Sequence, residues 1–168
     1  SFGRGPGESW DGDGVPLCLN YLRSRGITHV DAIVETHPHS DHYGGLHDVI
    51  NSGITYSVYL SPHDPHGLTA GALWDVGDSA VTVKCFNIDY PAGVPDDNDN
   101  NQSIVLKWSF RDMALLTTGD AEQPVEARIM QRFPGELHCD ILKVDHHGSS
   151  DATTEPWIAA ISPMFAVI

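Results

Sequence analysis

The sequence has few cysteines, few basic residues and no long apolar run. Its three cysteines, Cys18, Cys85 and Cys139, are far apart and form no Cys-x-x-Cys pair, which argues against a disulfide framework and against a thiolate metal site. Only 9 Lys and Arg stand against 23 Asp and Glu, for a net charge of -14. This excludes the broad basic surface with which proteins grip nucleic acids. No apolar stretch approaches the roughly 20 residues that span a bilayer, so we expect no membrane segment.

The start of the chain is equally uninformative about targeting. Ser1-Phe2-Gly3-Arg4 matches neither a signal peptide nor a natural initiation. We therefore expect a soluble chain whose first residue is a cut. With 168 residues, 40% of them apolar, we expect residues 1–168 to form one domain around a single core.

A histidine-rich segment at residues 36–46 carries the strongest chemical signal. It reads Thr-His-Pro-His-Ser-Asp-His-Tyr-Gly-Gly-Leu and places His37, His39, Asp41 and His42 within six residues. Imidazole and carboxylate bind zinc and similar divalent ions, and a short loop at a strand end can direct several of them at one point. A solvated loop would not need this order followed by paired glycines, so the segment predicts a metal site.

Two further segments end in residues of the same kind. Residues 115–120 end in Gly-Asp at Asp120, and residues 142–149 contain the pair His146-His147. Each follows an apolar run that predicts a strand. Alone, Gly-Asp is an ordinary turn, but three strand ends that each deliver such residues predict one shared centre. In it, Asp120 could bridge two ions, and one histidine of the pair could complete the first ion's ligands.

Periodicity and turn signals give a mixed order of elements. Residues 62–75 and the polar stretch 89–102 are predicted as loops, the second on the surface. A mixture of this kind, with a hairpin at 103–118, predicts an α+β fold with two sheets face to face and helices outside. Helices are predicted at 15–25, 44–52, 122–133 and 154–161, and strands at 30–35, 55–61, 79–88, 103–110, 113–118, 140–144 and 164–168.

The motifs resemble those of a known family. His-x-His-x-Asp-His at residues 37–42 is similar to the signature of metallo-β-lactamase fold hydrolases, and residues 100–106, 115–122 and 142–149 resemble the ComEC-type hydrolase domains of competence proteins. Teichoic acid phosphorylcholine esterases share much of this pattern. The resemblance implies an αββα four-layer sandwich with a two-metal site at its edge, here lacking its first strand and its last segment.

The resemblance also implies a ligand set. His37 and His39, with either His146 or His147, would hold the first ion, and Asp120 would bridge to the second. His147 is slightly preferred over His146, but the choice stays open.

The second ion is expected to be less well held. The resemblance gives it Asp41 and His42 besides the bridging Asp120, and the family's last histidine would lie in the missing segment, so weak binding is expected. Where many members have a further histidine, this chain has Asn-Asn-x-Ser, in which Asn100 or Asn101 would orient neighbours.

The chemistry expected of such a site is hydrolysis by an activated water. Two divalent ions, with zinc favoured and manganese the alternative, would serve with Asp41 and Asp120 as catalytic carboxylates. The preferred substrate is a phosphodiester, either a small molecule or a nucleic acid, as in a ComEC-type nuclease. The alternatives are a bimetal hydrolase of another ester, lactone or lactam, and a non-catalytic metal-binding domain.

Two histidines of the 62–75 loop are candidates for substrate binding. His63 and His66 could overhang the centre and protonate a leaving group, or they could be solvated loop residues. Localisation and oligomeric state stay open, although the ComEC-type resemblance allows an extracytoplasmic place as part of an envelope protein.

Overall fold

Two β-sheets, one of two strands and one of six, form the framework of the chain. The structure is a computed structural model that describes residues 17–77, 80–88 and 98–168. The predictions for residues 15–16, for Ser79 and for residues 89–97 lie outside this range. In chain order the strands are β1 (His29–Val34), β2 (Thr55–Leu60), β3 (Leu73–Trp74), β4 (Val81–Asn87), β5 (Val105–Phe110), β6 (Met113–Thr117), β7 (Ile141–Lys143) and β8 (Phe165–Val167).

Five α-helices and two 3-10 turns, at Asp99–Gln102 and Asp145–Gly148, connect the described strands. The longest helix, α4, has 10 residues. No helix in the described part of the chain has both the length and the apolar character needed to cross a bilayer. The helices are α1 (Leu17–Ser24), α2 (Ser40–Tyr43), α3 (Leu46–Asn51), α4 (Gln123–Arg132) and α5 (Glu155–Ile161).

The small sheet pairs β1 with β2 in parallel, from His29 opposite Thr55 to Val34 opposite Leu60. Parallel neighbours need a crossover rather than a tight turn, and here the crossover contains α2 and α3. Buried and partly buried residues of α1, α3 and the small sheet form a cluster of their own, which packs the two helices onto that sheet. The crossover therefore begins with the histidine segment, at the carboxyl end of β1.

The large sheet runs in the order β3-β4-β5-β6-β7-β8, with β3 to β6 antiparallel and β6 to β8 parallel. Alternate side chains of a strand point to opposite faces. One face packs against the small sheet through Leu60, Val83, Cys85 and Leu106. The other packs against α4 and α5 through Phe86, Val105, Leu116 and Trp157. The layers are thus helix, sheet, sheet and helix, which confirms the predicted sandwich.

Three local predictions need correction. The loop predicted at 62–75 contains β3, which pairs with β4 but is too short for alternation to reveal it. The predicted helix 44–52 begins at Leu46, and the histidine segment contains a helical turn of its own, α2, so that Asp41 and His42 lie on a helix rather than in the predicted short loop.

The third correction concerns the polar stretch at 89–102, predicted as an unburied loop. Its last four residues, Asp99–Gln102, form a 3-10 turn in which Asn100 and Asn101 are only 7% and 3% exposed. Burial is tolerated where polar groups are partnered, as the side-chain N–H of Asn100 and the backbone carbonyl of Asn101 are, although Oδ1 of Asn100 is buried without a hydrogen-bond partner. Asn87 donates to the backbone carbonyl of Asn101 at 3.3 Å, and Asn100 donates to Glu122 at 2.7 Å.

Leu60 offers a test of the packing between the sheets, because its side chain is fully buried there. Leu60→Ala should lower the free energy of unfolding by about 2 to 5 kcal/mol, the usual cost of a buried cavity. The measurement is urea unfolding followed by circular dichroism. Leu73→Ala is the control, since Leu73 is 67% exposed and should cost no more than about 0.5 kcal/mol. Equal losses for the two variants would contradict the assigned layers.

Candidate metal centre

Three strand ends meet at one edge of the sandwich. Because β6 and β7 are parallel neighbours, the residues that follow them, Asp120 and the pair His146-His147, emerge side by side. The histidine segment after β1 is joined to the same edge by the hydrogen bond from the backbone N–H of Ile104 to the carbonyl of Thr36, 2.9 Å long. The fold therefore brings the three sequence segments together as predicted.

Asp120 lies at the middle of the ligand cluster. Its Oδ2 atom is 3.0 Å from Nε2 of His42 and 3.3 Å from Nε2 of His147, and these two nitrogens are 3.0 Å apart. Oδ2 of Asp41 lies 3.6 and 3.5 Å from the same nitrogens. One ligand atom from each of these four residues lies within 4.8 Å of the others. A single cation could therefore contact all four.

His37 adds a buried nitrogen on the inner side. Its side chain is fully buried, and its Nε2 atom has no hydrogen-bond partner although Oδ2 of Asp120 is 3.8 Å away. Burial above all, together with the neighbouring His42, lowers the pKa of His37 to about 3. The ring is therefore neutral at pH 7. Its Nδ1 atom lies 3.2 Å from Oγ1 of Thr36 and 3.3 Å from Oγ of Ser103.

The remaining predicted ligands lie farther out. His39 is partly exposed, with its Nε2 3.9 Å from Oδ2 of Asp99 and its ring edge-on to that of His37. His146 approaches Asp120 to 3.9 Å through Nε2, but its Nδ1 faces Glu122 and Asp151. The histidine pair is thus divided: His147 lies in the four-residue group, while His146 belongs to a second group with Glu122 and Asp151.

His63 and His66 belong to neither group of ligand atoms found in the described part of the chain. Both side chains are exposed, and Nε2 of His66 lies 3.6 Å from Oδ2 of its neighbour Asp64. Their expected role in substrate binding stays a prediction.

Asp120 is a carboxylate despite its burial. Only 1% of the residue is exposed, and burial by itself would raise its pKa. The hydrogen bond and charge of His42, followed by the charges of Lys143 and His147, instead hold the pKa of Asp120 below its usual value. Lys143 lies 3.6 Å from Oδ1 of Asp120 and donates to the carbonyl of Gly119 at 2.8 Å. Sequence reasoning missed this lysine, since a lone Lys at a strand end is an ordinary surface residue.

Gly119 makes the close packing behind Asp120 possible. Its φ is +58°, and a Cβ atom there would lie 2.7 Å from Oγ of Ser103. The same hydroxyl accepts the backbone N–H of Asp120 at 2.9 Å. Ser103 therefore touches both Asp120 and His37, a contact that the Asn-Asn-x-Ser segment signalled only in part.

The loop that carries the histidine pair is held in a strained conformation. His146 and His147 both have left-handed backbones, with φ of 44° and 52°, and each costs on the order of 1 to 2 kcal/mol for a residue with a side chain. The backbone N–H of His146 donates to the carbonyl of Gly119, and that of Asp145 donates to Thr153. Burial, and then the charge of Glu126, raise the pKa of Asp145 above its ordinary value.

The donor set fits a divalent cation. Nε2 of His37 and Oδ1 of Asp120 are buried without a hydrogen-bond partner, and orphaned polar atoms of this kind are rare unless an ion or water serves them. Neutral imidazoles and carboxylates are also the ligands that zinc and related divalent ions prefer in proteins.

Comparison with known proteins gives a consistent assignment. Residues 5–163 match the family model described as the metallo-beta-lactamase superfamily. ComE operon protein 3 of Bacillus subtilis (strain 168) is 31% identical over 170 residues, which cover 92% of this chain and 22% of that protein. Competence protein ComA of Neisseria gonorrhoeae is 29% identical over 150 residues, with 87% and 21% covered. The chain thus spans about a fifth of the length of these curated relatives.

A solved structure supports the fold. A protein from Parabacteroides distasonis ATCC 8503, described as a metal-dependent hydrolase, superimposes with a TM-score of 0.51 at 17% identity. The match covers 82% of this chain and 64% of that one.

The buried His37 predicts an acid-sensitive fold in the metal-free protein. Its pKa is about 3 when folded, against an ordinary value of 6.5, so below pH 6.5 the unfolded chain binds a proton that the folded protein does not. Stability should therefore fall as the pH falls from about 6.5 toward 3, with a contribution from His37 that approaches 1.4 kcal/mol per pH unit, roughly the value for one proton. Urea unfolding between pH 4 and 7 measures this slope. The variant His37→Gln should have a shallower slope, and identical slopes would contradict the prediction.

Proposed function

This chain belongs to the metallo-beta-lactamase superfamily, and we propose that it is a metal-dependent hydrolase that cleaves phosphodiesters. The observation that carries the proposal is the convergence of two imidazole nitrogens on Oδ2 of the buried Asp120, at 3.0 and 3.3 Å. A centre of this kind binds a divalent cation, and hydrolysis is the chemistry that such a cation promotes.

We assign the ligands to two groups that share Asp120, and in the outer group the ligand atoms already lie within 4.8 Å of one another. Asp41, His42 and His147 form the outer group. His37, His39 and His146 form the inner group, in which His39 would turn away from Asp99. When bound, the ions supply Lewis-acid chemistry, polarising the phosphoryl group and lowering the pKa of a water.

Asp41 is the residue we assign to proton transfer. Its carboxylate is 41% exposed, whereas that of Asp120 is only 2% exposed. Asp41 is therefore open to solvent, and its carboxylate can accept a proton from an attacking water. Asp120 is enclosed and stays ionised, so its role is to hold charge and position rather than to exchange protons with solvent.

The distribution of charge favours a phosphodiester substrate that contacts the metal centre and little of the remaining surface. The chain as a whole carries -14, so a long duplex would be repelled from most of its surface. Among the proposed ligands, Asp41 and Asp120 supply only two negative charges, fewer than two divalent cations carry, and Lys143 adds a positive charge beside Asp120. A small phosphodiester, or one strand of a nucleic acid, matches this distribution. The competence proteins among the relatives favour the nucleic acid.

Asp120→Ala should abolish activity while the fold is retained. Loss of a shared ligand should reduce turnover of bis-p-nitrophenyl phosphate and of single-stranded DNA by more than about 100-fold, beyond the 10- to 100-fold loss usual for groups outside the ligand set. Activity of both proteins is measured after loading with zinc or with manganese. Elemental analysis of the wild-type protein should find about two ions per chain if both ligand groups are occupied. Asp112→Ala, which removes an exposed carboxylate from the β5-β6 turn, is the matched control and should be unaffected.

Nitrocefin and a lactone, assayed beside the phosphodiesters, separate the alternatives. If the protein hydrolyses nitrocefin or the lactone but cleaves neither phosphodiester, a lactamase or lactonase activity would replace the proposal. Full metal content without hydrolysis of any of the four would support a non-catalytic metal-binding domain instead.

A further inference from the structure

Glu122 lies beside the centre, close to His146 and Asp151, and belongs to neither of the two ligand groups that share Asp120. It follows Asp120 by two residues, directly before α4, and its side chain is only 13% exposed. Both of its oxygens accept side-chain amides: Oε1 from Asn100 at 2.7 Å and Oε2 from Asn98 at 2.6 Å. Charged acceptors form strong hydrogen bonds, so the two asparagines fix this carboxylate in one orientation.

The fixed carboxylate faces one nitrogen of His146. Oε1 of Glu122 is 3.4 Å from Nδ1 of His146, and Oδ1 of Asp151 is 3.2 Å from the same atom. Nδ1 is buried and is not aligned for a hydrogen bond in this structure, so a small rotation of the ring is needed to bring its N–H onto either oxygen. The other ring nitrogen, Nε2, points toward Asp120 at 3.9 Å.

A neutral imidazole has one N–H and one lone pair, and carboxylates only accept hydrogen bonds. Two carboxylates at Nδ1 therefore favour the proton on that atom. The lone pair then lies on Nε2, on the side of the metal centre. A carboxylate that accepts from the outer nitrogen of a metal-binding histidine fixes its tautomer and its orientation.

We propose that Glu122 is a positioning residue that holds His146 in the tautomer whose Nε2 lone pair faces the metal centre. Asn98 and Asn100 hold Glu122 in turn, which gives the polar segment after residue 97 a function although it supplies no ligand. The inference rests on the proposed function only in assuming that the centre binds a cation.

The backbone of His146 adds an independent reason for such support. Its left-handed conformation, φ 44° and ψ 48°, is unfavourable for a residue with a side chain and persists only where surrounding contacts impose it. The 3.4 Å approach of Glu122 to the ring adds to the hydrogen bond from the backbone N–H of His146 to the carbonyl of Gly119, 3.3 Å long. Asp151 is 51% exposed at its side chain, so water competes with it for the same N–H and its contribution is smaller.

The tautomer of His146 can be read directly. In the metal-free wild-type protein at pH 8, two-bond proton–nitrogen correlation spectra of the histidine rings distinguish a proton on Nδ1 from one on Nε2, and the His146→Gln variant assigns the signal. The expected result is the Nδ1–H form. The Nε2–H form would overturn the inference, and this measurement depends on no variant being stable.

Metal affinity gives the second readout. Glu122→Gln keeps the shape of the side chain. It leaves one acceptor oxygen for three donors, the side chains of Asn98, Asn100 and His146. We expect zinc affinity, measured by competition with a chromophoric chelator, to fall by about 10- to 100-fold, with a smaller fall for Asp151→Asn. Glu155→Gln is the control, because it removes the same charge from an exposed position at the start of α5, and it should bind as the wild type does.

Unchanged affinity in Glu122→Gln, or a larger loss in Asp151→Asn, would overturn the positioning role. Both readouts are taken without substrate. A wild type that binds metal but cleaves no phosphodiester would therefore overturn the proposed function and leave this inference standing.

Discussion

The burial of one ionised carboxylate governs the architecture of this centre. Asp120 is enclosed at the edge where two sheets meet, and an ionised group there is costly unless positive charge and hydrogen bonds compensate it. The structure supplies these through His42 on the helical turn after β1, Lys143 at the end of β7, and His147 in the turn that follows β7. These segments must meet for the carboxylate to stay charged.

This arrangement also accounts for the excess of acid around the histidines. Asp99, Glu122 and Asp151 lie next to imidazole nitrogens that do not point at Asp120. These three carboxylates make the surroundings of the metal centre attractive to cations, and unattractive to anions until the cations are bound. An anionic substrate would then be drawn only to the metal-loaded protein, which links substrate binding to metal binding through charge alone.

Most of the fold was predictable because its signals are local. The alternation of Val81, Val83 and Cys85 marks a half-buried strand, and it is these side chains that face the small sheet. The stripe of Val125, Ile129 and Phe133 marks α4 in the same way. The failures have a common cause. β3 is too short to show a period, and Asn100 is buried because Glu122, distant in sequence, accepts its amide. Local pattern carries no information about such partners.

The sequence by itself determined the ligand-type residues and their placement at strand ends, because residue chemistry and strand periodicity are both properties of short segments. It also determined that the site is rich in carboxylates and imidazoles. Only the tertiary structure decided how the ligands are divided. The rings of the adjacent residues His146 and His147 lie in different groups, because two successive residues with left-handed backbones turn them toward different neighbours. Lys143, Ser103 and Glu122 acquire their roles only when parallel pairing of β6 with β7 brings distant segments within hydrogen-bonding distance, and that pairing depends on the packing of the whole sandwich.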